Sequence, residues 1–254
     1  AAYEKELLRQ EIKVITRIDD KYPVQLKEIA DPPIALFVKG ILDTSRISLI
    51  GVVGTRKPTS YGRQITVQLT RELVSAGLGI VSGMARGIDS VAHRTCLEAR
   101  GYSVAVLGCG VDIVYPPENS DLYGEIINSG GAVVSEVPPG HTVLKGLFPA
   151  RNRIISGLSL GVVVTEGAQD SGSLITAKYA AEQGREVFAV PGPITSYLSA
   201  GPTKLIKQGA KLVTQVTDIL EELNIKNSSK FGSYPARQKL NGIDSESNGQ
   251  VKTI

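Results

Sequence analysis

Five short stretches carry the residues best suited to hold an anion: Gly54-Thr55-Arg56, Ser82-Gly83-Met84-Ala85-Arg86-Gly87, Gly108-Cys109-Gly110, the run "GAQDSGS" from Gly167 to Ser173, and Pro191-Gly192-Pro193. Glycine lets backbone N–H groups approach an anion closely, and Ser and Thr hydroxyls add donors. A following helix N-terminus contributes its dipole. Any one of these stretches is accounted for as a tight strand-to-helix turn. Taken together, with Arg56 and Arg86 inside two of them, they read as a phosphate-binding rim. The spacing is wrong for two common nucleotide sites. Gly51, Gly54 and Gly62 of "GVVGTRKPTSYG" do not keep the dinucleotide GxGxxG pattern, and no GxxxxGK[ST] loop occurs.

The stretch "FPARNRIISGLS" adds cations at an unexpected place. Pro149 suits a first helical turn, and Ile154, Ile155 and Leu158 follow at core-facing helical spacing. That places Arg151, Asn152 and Arg153 in the first turn, where the dipole of an isolated helix disfavours positive charge. A phosphate at the same end would reconcile them, since cations and dipole would act on one anion. The alternative is that Arg151 and Arg153 are held by Glu166 or Asp170. In "DSGSLITAKYAAEQG", Ser171 or Ser173 caps a helix, and Gly172 beside two hydroxyls is also suited to a phosphate oxygen. Asp89 reads as a helix cap, and Glu166 as a partner for Arg56, Arg86 or Arg153. No nucleophile with a base and no carboxylate pair stands out, so no catalytic residue is assigned. Cys96, Cys109, His93 and His141 lack ligand spacing, which predicts neither a metal nor a cofactor.

These loops need strands behind them. Six apolar runs, "SLIGVVG", "GLGIVSG", "YSVAVLG", "GAVVSEV", "LGVVVTEG" and "REVFAVPG", are rich in β-branched residues and end in glycine or a polar residue. Amphipathic segments lie between them, as at Ser60 to Ala76, Ser90 to Arg100 and Ser173 to Gln183. The alternation predicts an α/β fold, an extended Rossmann-like doubly wound domain with a mostly parallel sheet covered on both faces. Ligands of such sheets bind beyond the carboxyl ends of the strands, where the glycine stretches fall. Residues 1–46 read as a short N-terminal cap and 47–225 as the core. Residues 226–254, polar and Gly/Ser-rich, read as a disordered tail or linker.

Of the 28 cations and 25 acids, five and two fall from residue 226 onward, leaving 23 of each in residues 1 to 225. Bulk charge therefore does not argue for nucleic acid. Charge is segregated, which allows a local basic surface: residues 104 to 140 hold five acids and no cation, and residues 141 to 160 three cations and no acid. No apolar run could span a bilayer, and "AAYEKELLRQE" is charged rather than signal-like, which with two unpaired cysteines predicts a cytoplasmic protein.

The motifs "GTRKPTSYG", "SGMARGIDSVAHRTCL", "YPPEN", "GGAVVSEVPPG", "FPARNRIISGLS" and "DSGSLITAKYAAEQGREVFAVPG" together resemble the bacterial DNA-processing family DprA, also called Smf. The likeness runs over about residues 14 to 223. It implies an extended Rossmann core that binds single-stranded DNA without strong sequence preference. It also implies loading of the recombinase RecA past single-strand-binding protein during natural transformation, with incoming DNA protected, and a homodimer that catalyses no reaction. Carried over by motif, Arg56, Lys145, Phe148 and the Ser82-Gly83 and Ser171-Gly172-Ser173 loops would line the DNA pocket. Phe148 would offer its ring to a base, with Arg56 and Lys145 on phosphates. Fuller members carry a sterile-alpha-motif-like domain before the core and a winged helix after it, and neither is recognisable in this sequence. The alternative reading is a Rossmann-type phosphoribohydrolase on nucleoside monophosphates, but "EGAQDSGSLITA" lacks that group's paired glycines and following glutamate.

Overall fold

A computed structural model describes residues 2–144 and 146–225. Lys145 and the expected disordered tail at 226–254 lie outside the described residues. The chain forms α1 (Ala2–Arg9), β1 (Lys13–Thr16), α2 (Val24–Lys27), β2 (Ala35–Gly40), β3 (Leu49–Val53), α3 (Ser60–Ser75), β4 (Gly79–Ser82), α4 (Ile88–Glu98) and β5 (Ser103–Val106). It continues with α5 (Ser120–Asn128), β6 (Ala132–Ser135), α6 (Leu147–Gly157), β7 (Gly161–Val164), α7 (Gly172–Glu182), β8 (Glu186–Ala189), α8 (Ala200–Lys207), β9 (Lys211–Leu212) and α9 (Val216–Glu222). All six apolar runs become strands, and the Rossmann-like α/β expectation holds.

The strands form one sheet in the order β1-β2-β6-β5-β4-β3-β7-β8-β9. From β3 through β4 and β5 to β6 the chain winds in one direction, then returns to pair β7 on the other flank of β3. The register sets Val53 opposite Val164. The sheet is parallel from β6 to β9, and β1 and β2 extend it antiparallel beside β6. Residues 1–46 thus contribute two strands to the same sheet.

Every residue of β3 to β7 is buried, as strands covered on both faces must be. On one face Leu26 of α2, Ile154, Ile155 and Leu158 at and just after α6, and Ala177 and Ala180 of α7 pack on the sheet. On the other face lie Leu69 and Leu73 of α3, Ala92 and Cys96 of α4, and Ile219 and Leu220 of α9. Leu122 and Ile126 of α5 close that layer toward β6.

One boundary differs from expectation in a way that matters for the site. Helix α6 begins at Leu147, so Pro149 is its third residue and Arg151 to Arg153 fall in the second turn. Proline is tolerated through the first turn, because those N–H groups have no intrahelical partner. It therefore set only the latest possible start. The dipole conflict posed by the arginines does not arise.

Candidate functional site

The winding reverses between β3 and β7, and a cleft of about 850 Å³ opens there beyond the strand ends. Gly54, Thr55 and Arg56 enter it from the end of β3, Phe148, Arg151 and Asn152 from α6, and Ser171, Gly172 and Ser173 from the start of α7. Gly83 and Arg86 line an adjoining recess with Arg56, Phe148 and Arg151. Of the expected residues, Ser82 stays behind the loop, buried and donating to the Val52 carbonyl at 2.6 Å. Arg153 borders neither space. A groove of about 710 Å³ between α7 and α8 shares only Ser171 and Ile175 with the cleft. It carries none of the other predicted site residues.

The cleft joins a cation to an aromatic face. The Arg56 guanidinium carbon lies 5.9 Å from the centroid of the half-buried Phe148 ring, within cation–π range. Tyr115 packs on the same ring, centroid to centroid 5.6 Å at an interplanar angle of 44°. Tyr115 lines both the cleft and the recess, and sequence reasoning passed over it. The signal was an aromatic residue opening "YPPEN", in a loop that follows a strand.

At the other wall Ser171 is the N-cap of α7, and its hydroxyl accepts from the Ser173 N–H. The two hydroxyls lie 2.8 Å apart. Capping and lining thus coincide in Ser171, while Ser173 is buried in the first turn. Gly172 between them is exposed, and a Cβ there would meet nothing within 4 Å. An incoming anion can reach this helix end unobstructed. Asn152 steadies the turn by donating to the Gly172 carbonyl at 3.3 Å.

The expected partners of the buried charges need correction. Glu166 pairs with none of the arginines: its carboxylate accepts from the Thr59 N–H at 2.9 Å and hydroxyl at 2.6 Å, and its carbonyl from the Thr55 N–H at 2.7 Å. It ties the end of β7 to the loop leading into α3. Asp89 does not cap α4, whose N-cap is Gly87. It reaches back to accept from the Gly83 and Ala85 N–H groups at 3.1 and 3.3 Å. Arg153 is held by Glu136 at 2.8 Å and Asp31 at 3.0 Å, not by Glu166 or Asp170, and so faces the N-terminal segment. Arg86 forms an exposed pair with Glu118, which leaves Arg56 the cation best placed on the ring.

Arg151 is the largest departure from expectation. Only 7% exposed, it donates to the Gly83 carbonyl at 2.8 Å and to the Val106 carbonyl. It therefore braces α6 against the ends of β4 and β5. Burial pushes its guanidinium down to about 10, opposed by attraction to Asp89. Burial likewise raises the Asp89 carboxyl, opposed first by Arg151.

His93 belongs to the same buried ensemble, with Nδ1 2.8 Å from the Ser103 hydroxyl and Nε2 unpartnered. Burial, and then the charge of Arg151, hold its pKa down to about 3 from an ordinary 6.5. The folded state keeps the ring neutral while the unfolded state takes up a proton below 6.5. Stability is therefore lost as pH falls from 6.5 toward 3. Denaturant titrations at pH 7 and pH 5 are expected to show this loss reduced in His93→Gln. An identical pH slope in both proteins would refute the assignment.

Among the described residues no group of three His, Cys, Asp or Glu side chains could hold a metal ion, and no helix is long and apolar enough to cross a membrane. The family model for DNA recombination-mediator protein A matches residues 13–224. The protein Smf of Escherichia coli is 50% identical over 202 residues, which cover 80% of this chain and 54% of that protein. This chain thus spans about half the length of that relative. The X-ray structure of DNA processing protein A from Streptococcus pneumoniae matches with a TM-score of 0.81 at 44% identity, covering 86% of this chain and 77% of that one. DNA processing protein A from Helicobacter pylori, solved for its single-stranded DNA binding mode, matches with a TM-score of 0.75 at 28% identity, covering 84% and 96%. The chain belongs to the DNA recombination-mediator protein A family.

Proposed function

We propose that this protein binds single-stranded DNA in the cleft between β3 and β7, without strong sequence preference. The observation that carries this reading is the pairing of Arg56 with the Phe148 ring opposite the open helix end at Gly172. A π-face suits any base, and the cation and the positive end of the α7 dipole suit the phosphates on either side. The H. pylori relative, with its single-stranded DNA binding mode, supports the same reading.

The test is a titration of a labelled single strand and of its duplex at two salt concentrations. The single strand is expected to bind more tightly, and equal affinity for the duplex would overturn the proposal. Each phosphate neutralised on a single strand contributes about −0.7 to the log–log salt slope. Arg56→Ala should therefore weaken binding and flatten the slope by about 0.7, one contact. An unchanged slope removes Arg56 from the phosphate track. Lys145, assigned a second phosphate by resemblance, is tested in the same way.

The larger role proposed is that of a cytoplasmic homodimer that shields incoming DNA during natural transformation. It would hand the strand to the RecA recombinase in place of single-strand-binding protein. The family's designation as a recombination mediator supports this. Filament assembly on strands precoated with single-strand-binding protein should accelerate with this chain and not with Arg56→Ala. Light scattering tests the dimer. No reaction is assigned. Asp89, the one acid lining the cleft among its described residues, is buried and occupied by two backbone N–H groups. The phosphoribohydrolase alternative predicts release of free base from a panel of nucleoside monophosphates.

A further inference from the structure

The cleft is too small for the strand it is proposed to hold. A volume of about 850 Å³ accommodates one drug-sized ligand, which is one or two nucleotides. Sequence-tolerant single-strand sites generally span about 4–16 nucleotides. The rest of the strand must lie on the surface beside the cleft.

One flank of the cleft offers a surface of the right kind. The loop beyond β8 exposes Ile194 (97%) and Tyr197 (69%), and Tyr61, at the start of α3, is 40% exposed beside it. These side chains are not on a loose segment. The Tyr61 hydroxyl donates to the Pro191 carbonyl at 2.7 Å, the Ser196 N–H to the Pro193 carbonyl at 2.9 Å, and the Tyr197 hydroxyl to Asp170 at 3.4 Å. The Gly167 N–H donates to the Leu198 carbonyl and the Gly201 N–H to the Gly167 carbonyl, each at 2.8 Å. The loop after β8 is thus fastened to the loop after β7, and the latter becomes the cleft wall at Ser171 and Gly172. Exposed apolar side chains on a segment fastened to the wall of a binding cleft mark an interaction surface.

We infer that Tyr197, with Ile194 and Tyr61 beside it, forms a second stacking platform, taking the bases of the strand as it leaves the cleft past Gly172. The inference rests on the reading of the cleft as a single-stranded DNA site. Asp170, exposed and bonded to Tyr197, turns phosphates away from this platform. Its contacts are therefore with base faces, and its contribution is insensitive to salt.

The experiment compares two oligothymidylates, one of about two nucleotides that fills the cleft alone and one of about twelve that also crosses the platform. Tyr197→Ala is expected to weaken the longer strand by roughly fivefold or more at unchanged salt slope, leaving the shorter one unaffected. Tyr197→Phe should bind like the parent protein, and Ile194→Ser, at a fully exposed position, should weaken only the longer strand. Equal affinity of parent and Tyr197→Ala for both lengths overturns the platform, as does equal weakening of both. A changed oligomeric mass in Tyr197→Ala with strand affinity intact also overturns it, in favour of a protein contact. Arg56→Ala separates the two readings. It should weaken both lengths, and failure to weaken either one counts against the cleft rather than the platform.

Discussion

Replacing Arg151 with alanine is expected to cost about 3–5 kcal/mol of stability, the penalty for removing a buried cation whose carbonyl acceptors and nearby carboxylate stay buried. The charge sits 7% exposed against the ends of β4 and β5, with the Gly83 and Val106 carbonyls as acceptors and the charge of Asp89 on α4 opposing its burial. Alanine would leave Asp89 buried without its cation and two carbonyls without a donor. Lysine is not a substitute, because its single ammonium lacks the guanidinium fork. The loss should appear in denaturant titration as a lowered midpoint at unchanged slope. Gly83→Ala tests the same brace from the opposite side, since its Cβ would come within 2.5 to 2.7 Å of the Arg151 guanidinium. The double change Arg151→Met with Asp89→Asn should recover part of the loss, which a merely additive cavity effect would not. A loss below about 1 kcal/mol in Arg151→Ala would place the guanidinium in solvent, free for a phosphate.

The second large effect is expected on binding. Phe148→Ala should weaken single-stranded DNA by about 1–3 kcal/mol, the range measured for one base stacked on an aromatic ring. The salt slope should stay unchanged, which distinguishes it from Arg56→Ala. The ring is held in place by Tyr115, 5.6 Å away between centroids, and by Arg56, 5.9 Å from its centroid. Phe148→Tyr keeps the π-face and should bind nearly as well, while Phe148→Leu keeps the bulk and should not. If Phe148→Ala lowers the unfolding midpoint but leaves affinity intact, the ring is a packing staple and the cleft binds through its cations alone.

The core strands were legible because a parallel strand covered on both faces shows as an unbroken β-branched run, and all six such runs pair in one sheet. Strands β1 and β2 were hidden by surrounding charge and by Pro32 and Pro33. At the sheet's flank each pairs antiparallel, and neither is buried along its whole length: β1 buries only Ile15, and β2 only Leu36, Phe37 and Val38. The glycine loops and Phe148 were legible as a set because their chemistry is local. The roles of the arginines were not. Arg153 finds Asp31 122 residues away in sequence, and Arg151 finds the Gly83 and Val106 carbonyls 68 and 45 residues away. No spacing rule reports such contacts. The type of residue was right and its partner was wrong, because burial by the fold decides whether an arginine meets water or a carbonyl.

The outer strands set a limit on how copies of this chain can associate. At one margin β9 offers two residues, Lys211 and Leu212, and Lys211 is drawn into a 2.8 Å ion pair with Glu222. At the other, β1 has four residues, beginning with Lys13. Short, lysine-bearing margins are poor templates for another strand, a common protection against end-to-end aggregation. These margins do not favour growth of the sheet from one molecule into the next, which leaves association between copies to helix faces and loops, whose side chains, unlike backbone amides, can choose their neighbour.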